Sequence, residues 1–104
     1  MSERMRRVNE AVRGVVADAV RDLKDPRIGL VTVTSVVVTP DLNEATVFVS
    51  VLGNEKRRKA SLAGLASAHG VLQARINREL SLRRTPMLTF ACLLLSIRGE
   101  PPRM

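Results

Sequence analysis

The chain has 104 residues, of which 45% are hydrophobic, enough for one domain with a single modest core and too apolar for general disorder. Seventeen Lys and Arg against ten Asp and Glu give a formal charge of +7, which points toward an anionic partner. A single cysteine, Cys92, excludes a disulfide framework and a cysteine-built zinc site and fits a reducing cytosol.

Fifteen of the seventeen cations precede Leu88, and most are Arg, whose planar fork suits bidentate phosphate contacts. A small domain of this charge is most simply a nucleic-acid binder, and a compositional drift toward Arg is the competing explanation. The basic stretch Met1 to Arg7 leads into an amphipathic pattern rather than an apolar secretory core, so no signal peptide is expected. The longest apolar run, Met87 to Leu95, is too short to span a bilayer, and the helix faces lack the Trp and Phe of an interfacial helix. The expectation is a soluble, cytoplasmic protein.

A first helix is predicted over Glu3 to Leu23. Met5, Val8, Val12, Val15, Val16, Ala19 and Leu23 recur at helical spacing, with Ser2 as N-cap. Gly14 lowers its intrinsic propensity by about 1 kcal/mol, so tertiary packing must hold it. Asp25-Pro26-Arg27-Ile28-Gly29 is a stop signal: Lys24 suits the carbonyl end of the helix, Pro26 moves Asp25 out of the α region, and Gly29 is expected to turn the chain with positive φ.

Leu30 to Thr39 is dense in Val and Thr and reads as a strand whose alternation slips near Ser35, as at a bulge. Pro40-Asp41-Leu42-Asn43 supplies a turn. Ala45 to Leu52 is the second strand of a hairpin, with Ala45, Val47, Val49 and Val51 on one face and Thr46, Phe48, Ser50 and Leu52 on the other. Phe48 is expected to be buried against the sheet edge. A helix follows from about Glu55, bearing Lys56-Arg57-Arg58-Lys59 at its start and Leu62 and Leu65 on its inner face. Leu72, Ile76 and Leu80 mark another helix to about Arg83, and the break at Ala68-His69-Gly70 implies a kink. After Thr85-Pro86, Met87 to Leu95 is the third strand, and residues 98–104 are expected to form a flexible tail. The order αββααβ gives a two-layer α+β domain, residues 1–97, with helices on one face of a three-stranded sheet.

This order resembles the ribosome-binding factor A family, bacterial assembly factors of the small ribosomal subunit with a type II KH-like fold. The resemblance is carried by Arg6-Arg7-Val8-Asn9-Glu10, Asp25-Pro26-Arg27-Ile28-Gly29, Val31-Thr32-Val33-Thr34, and Asp41-Leu42 with Ala45-Thr46-Val47. It continues through Val49-Ser50-Val51-Leu52-Gly53, Ala68-His69-Gly70 and Arg84-Thr85-Pro86-Met87-Leu88-Thr89-Phe90. After Phe90 the family continues with acidic residues and a longer tail, where this chain has Ala91-Cys92-Leu93-Leu94-Leu95-Ser96-Ile97, so no role of that extension is carried over. In KH domains a Gly-x-x-Gly loop clamps nucleic-acid backbone. The resemblance implies that the Ala68-His69-Gly70 kink stands in its place. It further implies a factor that binds the free 30S precursor through 16S rRNA and assists processing of that rRNA.

One His, one Cys and no Tyr or Trp supply no catalytic constellation, and no Gly-rich phosphate loop is present. Cys92 reads as a small buried hydrophobe, and Asp18, Asp22 and Asp25 as charge partners of Arg21 and Lys24. With only Phe48 and Phe90 available, recognition should rest on phosphate contacts rather than base stacking. Arg75 and Arg78 lie at i, i+3 after the kink, and Arg83 and Arg84 prolong that ribbon. With Ala68, His69 and Gly70, and with Arg6, Arg7 and Arg27, they are the RNA-contact candidates. The expected molecule is a monomeric non-enzyme without cofactor, metal, membrane or small-molecule partner. The alternative is a basic module docking an acidic protein.

Overall fold

The computed structural model describes residues 2–82 and 84–92, and the backbone of 95–98. Helix α1 spans Glu3–Arg21 and starts where the Ser2 hydroxyl accepts the Met5 amide at 3.1 Å. Its inner face, Val12, Val15, Val16, Ala19 and Val20, is buried. It stops two residues before the expected Leu23, because the amides of Asp22 and Leu23 close tight bonds onto Ala19 and Val20. Asn9 is buried on the same face, and its Oδ1 accepts the Val38 amide at 2.9 Å, pinning the helix to the end of the first strand.

Strands β1 (Val31–Val38) and β2 (Glu44–Val51) form the expected antiparallel hairpin. The register shifts between Val33 and Ser35, where the phase of the Val pattern slips. Thr34 occupies the bulge and its hydroxyl donates to the Phe48 carbonyl at 3.0 Å, replacing part of the interrupted ladder. The bulge lets Val33 on one side and Val36 and Val38 on the other face the same core. In the connecting turn Leu42 takes φ +62°, held by Asp41, which accepts from Thr39 Oγ1 at 2.6 Å and from the Asn43 amide at 3.0 Å.

Helices α2 (Glu55–Ser67) and α3 (His69–Leu80) carry the crossover to β3 (Met87–Cys92), which pairs parallel with β2 from Glu44↔Met87 to Phe48↔Ala91. Asn54 caps α2 through Oδ1, which accepts the Arg57 amide at 2.9 Å. Helix α3 ends three residues before the expected Arg83, at Ser81 with φ +48° and ψ +43°, so a left-handed cap terminates it rather than Thr85-Pro86. Pro86 is buried at the entrance to β3, and its carbonyl accepts from Gln73 Nε2 at 2.9 Å.

The α+β architecture is the expected one, but the sheet has four strands, in the order β1-β2-β3-β4. The stretch Met87 to Leu95, expected as one strand, contains β3 and the start of β4 (Leu95–Arg98), antiparallel from Thr89↔Arg98 to Cys92↔Leu95. An apolar run broken only by Thr89, with no Gly, Pro, Asn or Asp, gave no signal for a division there. Arg98, expected to open a tail, ends β4; residues 99–104 lie outside the described residues. Phe90, Leu65, Leu72, Ile76 and Leu88 form the fully buried centre between sheet and helices, and Cys92 joins them at 3% exposure.

Candidate nucleic-acid interface

The Asp25–Gly29 segment folds onto α2. Ser61, fully buried, accepts the Gly29 amide at 3.1 Å and donates to the Arg27 carbonyl at 3.4 Å. Ile28 lies against Gly64, where an added Cβ would stand 2.6 Å from Ile28 Cγ1. Gly29 does not take the expected positive φ; among the described glycines only Gly53 does, at +128°. Gly29 instead lies close to the exposed Arg57 side chain: a Cβ there would stand 3.0 Å from Arg57 Nε.

Several candidate cations are already engaged. Arg6 donates to Glu3 at 2.6 Å, and that carboxylate raises the guanidinium further above its ordinary value; Arg7 stands 3.6 Å from the same Glu3. Arg27 grips the Asp25 carboxylate at 2.6 Å, and these bonds, with the Arg27 amide on Asp25 Oδ1, lower the Asp25 pKa. Of the expected charge partners, Asp18 does pair with Arg21, at 3.2 Å. Asp25 pairs with Arg27 rather than Lys24, and Asp22 reaches Arg75 across the helix interface at 3.1 Å.

Arg75 therefore departs from the expected open ribbon. Its Nε also donates to Glu79 at 2.6 Å, and its side chain is 26% exposed. Helical spacing places Arg75 and Arg78 correctly on one helix but carries no information about the carboxylate of another element that meets one of them. Arg78 is exposed and has no carboxylate partner among the described residues. Arg84 is exposed and donates to Asn43 Oδ1 at 3.1 Å, and Arg83 lies outside the described residues.

The kink falls at Ala68, at φ −89° and ψ 7°, between α2 and α3. His69 is half-buried, with Nδ1 2.8 Å from the Ala66 carbonyl, so an Nδ1–H donates to that helix end. Gly70 is exposed, its φ is outside the positive region, and a Cβ there would touch nothing within 4 Å. The bend is thus made by the Ala68 backbone, and Gly70 contributes open surface beside Val71, which is 61% exposed. Phe48, expected to be buried, is 39% exposed on the sheet face away from the helices, beside Thr34 and Ser50.

The family model for ribosome-binding factor A matches residues 4–92. The chain belongs to the ribosome-binding factor A family. A ribosome-binding factor A from Frankia alni is 50% identical over 88 residues, 84% of this chain and 43% of that one. One from Desulforamulus reducens is 46% identical over 91 residues, 86% of this chain and 76% of that one. This chain thus spans less than half the length of the Frankia relative. The crystal structure of ribosome-binding factor A from Thermus thermophilus superposes with a TM-score of 0.77 at 27% identity, covering 85% of this chain and 94% of that one. A homology model of the Thermus thermophilus factor, fitted into a cryo-EM map of its complex with the 30S subunit, gives 0.65 at 30% identity over 78% of this chain and 86% of that one.

One further cation stands close to the Asp25–Gly29 segment. Arg57 sits in the first turn of α2, packed on Gly29 and Gly53, and its guanidinium has no carboxylate partner among the described residues. Nothing in the run Lys56-Arg57-Arg58-Lys59 distinguishes Arg57 in sequence, because the two glycines it approaches, Gly29 and Gly53, lie outside that run.

Proposed function

We propose that this chain binds the free small (30S) ribosomal subunit through its 16S rRNA, assists processing of that rRNA and leaves before translation, as a cytoplasmic, monomeric non-enzyme. The observation that carries the reading is family membership across residues 4–92, joined to the seating of the Thermus homologue in a map of a 30S complex. The net charge of +7 and the exposed Arg and Lys side chains supply the means, since phosphate neutralisation dominates such binding. Among the described residues no cluster fit for a metal and no helix long and apolar enough to cross a membrane is present.

Sedimentation of cell extract tests the reading: the protein should travel with free small subunits. Affinity for purified subunits should fall roughly 10³-fold or more from low to moderate salt if several phosphates are contacted. A flat salt response, or a complex that survives nuclease treatment unchanged, would transfer the assignment to a basic module docking an acidic protein.

A further inference from the structure

The Asp25–Gly29 segment ends a helix and packs on α2, yet neither task explains why its last residue lacks a side chain at ordinary φ. Across the gap lies the Arg57 side chain. A Cβ on Gly29 would stand 3.0 Å from Arg57 Nε and 3.5 Å from both Cζ and Nη2, tighter than side chains normally approach at the first of these. On the other side, a Cβ on Gly53 would stand 2.9 Å from Arg57 Cβ and Cγ. The Arg57 side chain is laid in a slot between two glycines, its stem against Gly53 and its guanidinium over Gly29.

The backbone on both sides of Arg57 is hydrogen-bonded. The Gly29 amide is bound by the buried Ser61 of α2, the Leu52 amide donates to the Leu30 carbonyl at 3.1 Å, and Arg58 Nη1 donates to the Gly53 carbonyl at 3.0 Å. Arg6, Arg7, Arg13, Arg21, Arg27 and Arg75 each face a carboxylate, whereas Arg57, like Lys56, Arg58, Arg78 and Arg84, faces none among the described residues. Its neighbours Lys56 and Arg58 add charge of the same sign, and Glu55 is engaged by Lys59 at 3.6 Å. Arg57 is exposed, its stem lies against Gly53, and its guanidinium keeps its donors available to an oxyanion.

We propose that Arg57 is a phosphate-binding guanidinium for the RNA backbone, and that Gly29 and Gly53 serve it by leaving room for its side chain. This rests on the small-subunit reading above and names a contact within it. Arg57, rather than Arg75, is then a principal phosphate contact, with Lys56 and Arg58 strengthening the local field.

The test uses the full chain and purified small subunits, with affinity measured across a salt series for wild type, Arg57→Gln, Arg57→Lys and Gly29→Ala. Arg57→Gln should weaken binding about tenfold and reduce the slope of log affinity against log salt by about one. Arg57→Lys should keep the slope and recover only part of the affinity, because a point charge replaces a fork. Gly29→Ala keeps every charge, yet should weaken binding by displacing the guanidinium, with the circular dichroism spectrum unchanged. Wild-type affinity and slope in Arg57→Gln would overturn the contact and leave the small-subunit reading standing. Loss in Arg57→Gln without loss in Gly29→Ala would overturn the glycine slot. Failure of the wild-type protein to bind subunits would remove both.

Discussion

Arg75 ties α3 to the end of α1: its guanidinium donates to Asp22 at 3.1 Å and to Glu79 at 2.6 Å. Arg75→Glu would set three carboxylates together at that junction. The expected result is an unfolding midpoint lowered by a few degrees, more than for Arg75→Gln, read by thermal denaturation. Arg78→Glu, one turn away and exposed, places a negative charge in the last turn of α3 but breaks no ion pair, and should lower the midpoint less than Arg75→Glu does. An Arg75→Glu protein as stable as wild type would show that the bridge has no structural weight.

Element types were legible because periodicity and β-branched density report burial directly: the α1 stripe, the Val alternation of β2 and the bulge near Ser35 all follow from which side chains must face one core. The division of the last apolar run into β3 and β4 was not, since no turn residue marks it. The site was less legible than the fold for a related reason. Whether a cation is spent depends on carboxylates brought from elsewhere, as Asp22 is to Arg75 across 53 positions, and no local pattern records that. Gly29 shows the same limit. A glycine in a helix-stop motif reads as a turn residue, and only the fold shows that it lacks positive φ and lies close to Arg57 of α2.

Gly64 should resist the substitution that usually stabilises a helix. Gly→Ala within a helix ordinarily gains about 1 kcal/mol, but here the new methyl would stand 2.6 Å from Ile28 Cγ1. Overpacking of this kind costs roughly 1–3 kcal/mol, so Gly64→Ala should be neutral to destabilising by up to about 2 kcal/mol. The double variant Gly64→Ala, Ile28→Ala should be more stable than the sum of its singles, because removing the Ile28 branch opens the space. Urea denaturation of the four proteins decides it; strict additivity would mean that the Asp25–Gly29 segment does not pack on α2 as described.

Acid should loosen the two carboxylate-built turns first. The Arg27 side chain and amide lower the Asp25 pKa, and the Thr39 hydroxyl and Asn43 amide lower that of Asp41. Since both folded carboxyls titrate below their unfolded values, the unfolded chain takes up protons first. Their contribution is therefore complete above the ordinary carboxylate value of about 3.9 and is lost as pH falls through the folded values. Asp25→Asn should lower the urea midpoint at neutral pH, and its difference from wild type should shrink toward zero on acidification. A difference that stays constant with pH would show that the Arg27–Asp25 contact contributes nothing through charge.

Gly70 separates the geometry of the kink from its use. Its backbone needs no left-handed conformation, and a Cβ there would meet open space. Gly70→Ala should thus stabilise α3 by roughly 0.5–1 kcal/mol through a smaller entropy loss on folding. Gly70→Val should gain less, because β-branching restricts the first helical turn. If RNA backbone passes close to the kink, both variants should bind small subunits more weakly while unfolding at the wild-type midpoint or above, with valine the worse of the two. Stability and binding that rise or hold together in both variants would mean that the bend at Ala68 only fits the helix pair to the sheet. Destabilisation by Gly70→Ala would instead show that the chain at Gly70 takes a conformation closed to an L side chain.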